Sequence, residues 1–517
     1  MRRRKFLATS AGIPLLFNQL PRDLSSSRMF SALGSEPDER VLVLIQLNGG
    51  NDGLNTLVPL DQYDNLAAVR PSIILPENSL LAIDDTKALH PALTGFRDIW
   101  DAGELAIVQD VSYPDQNRSH FRSTDIWHSG SESNEYLRTG WMGRTLDIDH
   151  PTFPTNFPNA DFTDPIAITV GTTVSDTCQG QAANFALTVS NPFRATSILE
   201  GASGPLPSTL RGPELDFLRT SVSQTNQYSA TVKRKAEAGS SLVDYPEDNL
   251  LATRLQYVAQ MISGGMQTKV YVVSLGGFDT HGDQVIDGDT TTGEHAELLL
   301  QLAEAVKAFQ ADINALGLGE RVIGMTYSEF GRRIRENGGL GTDHGTAAPM
   351  FLFGDCVNAG VLGDNPTIDT QVDELEGVAM QYDFRDVYGS VLEDWFGVEE
   401  NVVRDVLHNT YTKLPIIREC SSLVSSIEES AFAKTKLTLA PSPFENSAQL
   451  NFTTTTQGLV RLSVYDVKGS LVETLFKRRL PAGEQTVNID AQNYPSGIII
   501  FHLQRGADVK VVRGIKL

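Results

Sequence analysis

The run Val41-Leu-Val-Leu-Ile-Gln-Leu47, followed at once by Asn48-Gly-Gly-Asn-Asp-Gly53, decides the fold class. Only Gln46 interrupts the apolar stretch, so the segment shows no alternation. A strand of this kind is expected to be buried on both faces, as in a parallel sheet covered by helices. The glycines that follow let the backbone turn tightly and approach other groups closely. Comparable runs lie at 105–109, 166–170, 269–275, 321–327 and 350–353. Between them lie helical patterns, the clearest over 294–316. There Leu298, Leu302, Ala305, Phe309, Ile313 and Leu316 form one apolar stripe, and Gly317 stands where a C-terminal cap belongs. Strand, helix and strand make a βαβ unit. Residues 386–396 read as the last helix of this domain. Residues 200–245, rich in Ser, Gly, Thr and Pro with a helical stretch near 213–230, read as an insertion.

The 517 residues are too many for one ordinary domain. After Cys420 a Ser/Glu/Lys-rich linker runs to about 436, and the pattern then changes. Leu450-Asn-Phe452 and Val460-Arg-Leu-Ser-Val464 alternate as half-buried antiparallel strands do, with turns at Val467-Lys-Gly-Ser470 and Pro481-Ala-Gly-Glu484. The spacing predicts about seven short strands in an immunoglobulin-like sandwich. The expected fold is therefore α/β, a mostly parallel sheet flanked by helices, plus a C-terminal all-β sandwich.

At the other end, Met1-Arg-Arg-Arg-Lys-Phe-Leu7 and the mildly apolar stretch after it read as an export signal, too short and interrupted to span a membrane. Arg3-Arg4-Lys5-Phe6-Leu7 looks like a twin-arginine signal, with a Sec signal as the alternative. No later segment is long and apolar enough to cross a bilayer. A net charge of −22 argues against nucleic acid or an anionic membrane as the main partner. Cys178, Cys356 and Cys420 fit no zinc-ribbon or Cys-x-x-Cys spacing; one disulfide is expected in an oxidising compartment, its pairing left open.

Ligands of open parallel sheets bind at the carboxyl ends of the strands. After the first run comes Asn51-Asp52. After 269–275 comes Gly276-Gly-Phe-Asp-Thr-His-Gly282. After 321–327 comes Ser328-Glu-Phe-Gly-Arg-Arg333, and Gly341-Thr-Asp-His-Gly345 precedes the run at 350–353. Carboxylate and imidazole are the expected ligands of zinc, manganese or a similar divalent ion.

Leu47-Asn-Gly-Gly-Asn-Asp-Gly-Leu-Asn-Thr56, Arg118-Ser-His-Phe-Arg-Ser-Thr-Asp-Ile-Trp127, Gly276-Gly-Phe-Asp-Thr-His281, Ser328-Glu-Phe-Gly-Arg332, Thr342-Asp-His344 and Asp383-Phe-Arg-Asp-Val-Tyr388 resemble, in that order, the DUF1501 family of secreted proteins. That family in turn resembles the alkaline phosphatase and sulfatase superfamily. The resemblance implies an alkaline phosphatase-like domain over 36–425 and a site for hydrolysis of phosphate or sulfate esters. It implies Asp52, Asp343 and His344 as ligands of one divalent metal (zinc, manganese or calcium), with Asp279 and His281 beginning a second site. It also implies Ser119 and His120 as catalytic residues, and Arg118, Arg122 and Glu329 as contacts for an anionic ester. Ser119 equally suits an N-cap hydroxyl. The chain departs from the superfamily in its Asp279-x-His281 spacing, in having only His408 and His502 late in the sequence, and in lacking a Cys-x-Pro-x-Arg or Ser-x-Pro-x-Arg formylglycine motif. A non-catalytic binding or surface protein on the same scaffold is the alternative reading.

Ala440-Pro-Ser-Pro-Phe-Glu-Asn446, Val464-Tyr-Asp-Val-Lys-Gly469, Leu480-Pro-Ala-Gly483, Tyr494-Pro-Ser-Gly-Ile498 and the terminal Val511-Val-Arg-Gly-Ile-Lys-Leu517 resemble a type IX secretion sorting domain. The resemblance implies the type IX machinery as partner and a route through the periplasm to the cell surface or beyond. The expected layout is a signal and lead-in over 1–35, the α/β domain over 36–425, a linker over 426–436 and the sorting sandwich over 437–517.

Overall fold

The computed structural model describes residues 40–194, 211–369, 371–408, 411–420, 437–454, 458–466, 471–481, 483–505 and 508–517. The proposed signal and the linker after Cys420 lie outside these residues. The chain divides into two compact units, one spanning Glu39–Leu423 and the other containing Val424–Leu517.

The larger unit is built on a nine-stranded sheet. Its strands are β1 (Val41–Asn48), β2 (Leu105–Ser112), β3 (Ala167–Val170), β4 (Ala186–Val189), β5 (Val270–Gly276), β6 (Val322–Tyr327), β7 (Ala348–Phe353), β8 (Gly360–Leu362) and β9 (Tyr382–Asp383). The order is β8-β2-β7-β6-β1-β5-β3-β4, with β9 also pairing with β2. Every pairing is parallel except those of β7, which runs against both β2 and β6. The six strands expected from the apolar runs are all present. The short β4, β8 and β9 carry too few apolar residues to stand out in the sequence.

The reversal of β7 decides where the site lies. Residues 328–347 join β6 to β7 without a helix, and the chain turns back at the same sheet edge. Thr342-Asp-His344, which precedes its strand, thereby joins the segments that follow β1, β5 and β6. With β7 parallel, that motif would lie at the opposite edge.

Helices cover both faces: Thr94–Asp101 (α1), His120–Ser129 (α2), Trp141–Asp149 (α3), Arg211–Ala238 (α4), Leu250–Ser263 (α5), Glu294–Ala315 (α6), Phe384–Ser390 (α7) and Glu400–Leu407 (α8). One apolar core packs α5 and α6 on the sheet, with Leu255, Leu302 and Phe309 buried against Val43, Ile45 and Val273. The other lies across the sheet, where Trp127, Trp141, Tyr388 and Trp395 pack on Leu42, Leu44, Val272 and Met325. Leu302, Ala305, Phe309 and Ile313 of the α6 stripe are buried and Leu298 and Leu316 half-buried, and Gly317 adopts a left-handed φ of 70° just past the helix end. The helix expected over 386–396 is in fact α7 followed by a π-helical turn, Val391–Trp395, and α8 lies beyond it. Asp383 and Asp386 form a capping box at the start of α7, and the buried Arg385 bonds Asp383 and Glu132. The Asp383–Tyr388 motif is thus a helix-start device. Cys356 and Cys420 form the disulfide, and Cys178 is free and buried. No helix among the described residues is long and apolar enough to cross a membrane.

Among the described residues the C-terminal unit has seven strands: β10 (Thr438–Ala440), β11 (Ser447–Thr454), β12 (Gly458–Asp466), β13 (Leu471–Leu480), β14 (Gly483–Asp490), β15 (Gly497–Arg505) and β16 (Asp508–Lys516). They form a three-stranded sheet, β10-β11-β14, and a four-stranded sheet, β13-β12-β15-β16. Leu450 and Phe452 of the first and Val460, Leu462, Val464 and Phe501 of the second share one core. The alternation read from the sequence therefore faces inward as expected.

One strand carries strain. Asp110 of β2 has a φ of 49°, where the register with β7 shifts, and it is buried. A left-handed Asp inside a strand persists only where its surroundings hold it. Gln381 does so, its backbone N–H donating to Asp110 O and its amide to the carboxylate. Burial pushes the Asp110 carboxyl up to about 7, against the amide of Gln381, which lowers it. A carboxyl raised in the folded state contributes stability that is full below its ordinary value of 3.8 and is lost as pH climbs through about 7. Asp110→Asn keeps an acceptor for Gln381 and tolerates positive φ. It is expected to raise unfolding free energy at pH 8 by about 1–3 kcal/mol and to change it little at pH 4, as read by urea unfolding at the two values.

Candidate metal centre

Four segments meet at the carboxyl edge of the sheet: 48–53 after β1, 276–282 after β5, 328–333 after β6 and 341–345 before β7. Glycine makes the approach possible. Gly49 has a φ of 124°, and a Cβ there would lie 2.2 Å from the backbone nitrogen of Asp279. Gly50, at φ 88°, leaves room for the Phe330 ring.

Arg332 ties the segments together. Its guanidinium is buried and donates to Gly50 O (2.7 Å), Thr342 O (2.9 Å), Phe278 O (2.8 Å), Gly49 O and the Asp279 carboxylate (2.8 Å). Helix α2 is docked by one carbonyl. Glu329 O accepts from Gln116 Nε2, Ser123 Oγ and Trp127 Nε1. Ser123 and Trp127 lie three and seven residues after His120 and so share its helix face.

Three imidazoles converge here. His120 Nδ1 is 2.9 Å from Glu329 Oε1, which also accepts from the Gly49 backbone N–H. His281 Nδ1 is 3.0 Å from Asp343 Oδ1, and His344 Nδ1 is 2.9 Å from the carbonyl of Arg118. Each Nδ1 faces an oxygen that can only accept, so each neutral ring carries its proton there and presents a bare Nε2 lone pair. All three Nε2 atoms face Asp279. His281 and His344 Nε2 are each 3.1 Å from Asp279 Oδ1, and His120 Nε2 is 3.4 Å from Oδ2. His281 and His344 Nε2 are only 2.9 Å apart. Phe330 lies beneath the His120 and His344 rings, with centroids 4.9 and 4.6 Å away.

Two lone pairs facing each other across 2.9 Å, beside a carboxylate, repel unless a cation lies between them. Donor atoms bound at about 2.0–2.1 Å with angles between octahedral and tetrahedral lie about 2.9–3.4 Å apart. The spacings here fall in that range. The residues therefore fit a divalent ion held by His120, Asp279 and His344, whose donor atoms lie within 4.8 Å of one another, with His281 beside them. Glu329, Asp343 and the Arg118 carbonyl fix the ring tautomers, as the outer partners of metal-binding histidines do. Burial would raise the Asp279 carboxyl, but the hydrogen bond and the charge of Arg332 hold it well below its ordinary range. Burial also dominates at Asp343, where Asn337, His281 and Arg333 reverse it and leave the carboxyl below its ordinary range. His344 is lowered, chiefly by burial.

The other residues singled out in the sequence stand as follows. Asp52 follows Gly49 and Gly50 in the chain but is not among the converging groups, its carboxylate taken by Arg70 (2.8 and 3.0 Å) and Gln284 (2.7 Å). Asp343 lies one layer out, bonded to His281. Ser119 is exposed at the N-cap position of α2, and its side chain makes no capping hydrogen bond. Arg118 donates to Leu375 O. The buried Arg122 donates to the carbonyls of Glu132, Ser133 and Glu135 and stacks on Tyr136, its guanidinium 3.8 Å from the ring centroid. Sequence reasoning placed His120 among the catalytic groups rather than the donors, and it did not single out Arg332, Arg70 or Gln284. Arg332 stood within a quoted motif. Nothing in the sequence marked Arg70 or Gln284.

The fold and site define a helix-flanked α/β domain with an imidazole-carboxylate cluster at the carboxyl edge of its sheet. Residues 213–407 match the family described as a protein of unknown function, DUF1501. Residues 438–516 match the secretion system C-terminal sorting domain. Both resemblances read from the sequence are thus met in these segments. No curated protein matches the chain in sequence. Similar solved structures include a protein of the alkaline phosphatase superfamily from Vibrio parahaemolyticus (10% identity, TM-score 0.31, covering 86% of this chain and 83% of that one). Others are a phosphonate monoester hydrolase from Silicibacter pomeroyi (10%, 0.30, 92% and 88%) and a sulfatase from Pseudoalteromonas sp. (9%, 0.30, 90% and 86%). At these scores the likenesses fix neither a reaction nor a substrate for this chain.

Gly49→Ala is expected to cost at least about 2 kcal/mol, because both the positive φ and the contact with Asp279 must be relieved by backbone movement. Thermal unfolding checks it. An unchanged midpoint would mean that the segments do not meet as described.

Proposed function

We propose that this chain is an exported, metal-dependent hydrolase of phosphate or sulfate esters. The observation that supports it is the convergence of three Nε2 lone pairs on the Asp279 carboxylate. Three imidazoles with one carboxylate suit zinc or manganese better than calcium, which prefers oxygen ligands. A bound divalent ion would lower the pKa of a hydroxyl or water and offset charge on a transferring phosphoryl or sulfuryl group. Ser119, next to His120 and with a side chain that caps nothing, is the nucleophile in this reading. The N-terminus of α2 favours the anion that forms on it. His120, tied by Nδ1 to Glu329, keeps its other nitrogen toward the cluster. Arg118 holds His344 through its carbonyl, while its guanidinium gives one Nη1 bond to Leu375 O and would meet an anionic ester with its other N–H groups.

The C-terminal sorting domain indicates export, to the surface or beyond. In this reading residues 1–35 are a twin-arginine or Sec leader, 36–425 the hydrolase domain, 426–436 a linker and 437–517 the sandwich read by the type IX machinery after periplasmic transit. A non-catalytic binding role has one observation in its favour. The Arg122 guanidinium is not free to clamp an ester, since backbone carbonyls occupy it.

Elemental mass spectrometry of the purified full chain separates the readings. Near-stoichiometric zinc or manganese is expected, lost in a His281→Ala, His344→Ala double variant. Ser119→Ala is expected to keep the metal and lower hydrolysis of p-nitrophenyl phosphate or sulfate by 10²-fold or more, the order supplied by a nucleophile and its activation. Wild-type protein that stays empty after incubation with zinc and manganese would overturn the metal reading. Bound metal without turnover of either ester would favour the binding protein.

A further inference from the structure

We propose that the buried Asp52–Arg70 pair is a positioning element for the metal centre and holds no metal itself, so that the centre holds one ion per chain. This rests on the metal reading above. Asp52 is 1% exposed and Arg70 0%. Arg70 Nη1 donates to both carboxylate oxygens, at 3.0 and 2.8 Å, and Gln284 Nε2 donates to Oδ2 at 2.7 Å. The carboxylate thus already has a cation and a neutral donor. A metal there would have to displace a guanidinium whose other donors are also committed, to Ile334 O, Arg333 O and Asn55 Oδ1. A cation brought by the chain itself offsets the desolvation of Asp52, as a metal would.

The pair acts on the centre through Gln284. With its NH2 committed to Asp52, the amide must turn its oxygen the other way. Gln284 Oε1 accepts there from Thr342 Oγ1 (2.8 Å) and Thr280 Oγ1 (3.3 Å). Thr280 stands between Asp279 and His281, and Thr342 precedes Asp343 and His344. Gln284, Thr280 and Thr342 are each 0% exposed. One carboxylate therefore fixes an amide, and the amide fixes the two segments that carry Asp279, His281 and His344. Arg70 adds a hold on the backbone just after Arg332.

The test is metal stoichiometry and affinity in the full chain, with zinc by elemental analysis and cobalt by its visible absorption. One equivalent is expected in the wild type and still one in Asp52→Asn. Affinity should fall about 10–100-fold, as when the outer partners of metal ligands are removed, and the cobalt bands should shift. Thr342→Val should act in the same direction and Thr342→Ser should restore affinity and spectrum. That pair carries the test if Asp52→Asn does not fold. Two equivalents in the wild type, falling to one in Asp52→Asn, would make Asp52 a ligand and overturn the proposal. So would Thr342→Val with wild-type affinity and spectrum. No uptake of either metal by the wild type would overturn the metal reading, and this inference with it.

Discussion

A single buried guanidinium sets the geometry on which the site depends. Arg332 spends its donors on backbone carbonyls at Gly49, Gly50, Phe278 and Thr342 and on the Asp279 carboxylate. These groups belong to three segments far apart in sequence. A carbonyl buried without a donor costs about 1–3 kcal/mol, so no segment can withdraw without leaving an acceptor unpaired. The planar fork also fixes directions, which a lysine ammonium on a flexible stem would not. Gly49 and Gly50 are the steric counterpart, since a side chain at either would prevent the close approach that Arg332 spans.

The sheet was legible because burial on both faces removes alternation from its strands, and β1, β5 and β6 stand out as mostly apolar runs. Direction was not legible, because an apolar run reads the same whichever way it lies. The antiparallel course of β7 follows from the helix-free connection over 328–347, which is a property of the loop and not of the strand. The short β4, β8 and β9 escaped for another reason. Two to four residues at a sheet margin carry too little apolar content to rise above loop composition. In the C-terminal unit the strands at 450–452 and 460–464 were legible, because one dry face restores the period of two.

The site was half legible. Asp279, His281, Asp343 and His344 stood in glycine-rich segments next to strands, where the sheet edge gathers them. His120 was noticed as a catalytic candidate, but its place beside Asp279 was not legible, since the ring is oriented by Glu329 taking its Nδ1, a contact across 209 residues. Asp52 looked identical in sequence to the residues that do converge. What separates it is Arg70, eighteen residues on and part of no motif. Sequence spacing reports which residues share an edge. It does not report which cation each carboxylate meets.

The tautomers carry the chemistry further than the distances do. A proton shared between His281 and His344 Nε2 would also relieve their repulsion at 2.9 Å, but it would serve that pair alone and leave His120 Nε2 facing Asp279 Oδ2 unrelieved. Burial works against the proton as well, because it lowers the affinity of His344 for it. A divalent ion relieves all three nitrogens at once and meets a carboxylate that Arg332 already keeps ionised. Every Nδ1 is committed to an oxygen supplied by a different segment, so the lone pairs are aimed before any ion arrives. The reorganisation that binding would otherwise demand has been settled by the fold, which is how a site in the half-exposed mouth of a sheet can favour one arrangement of donors over the many its surface would allow.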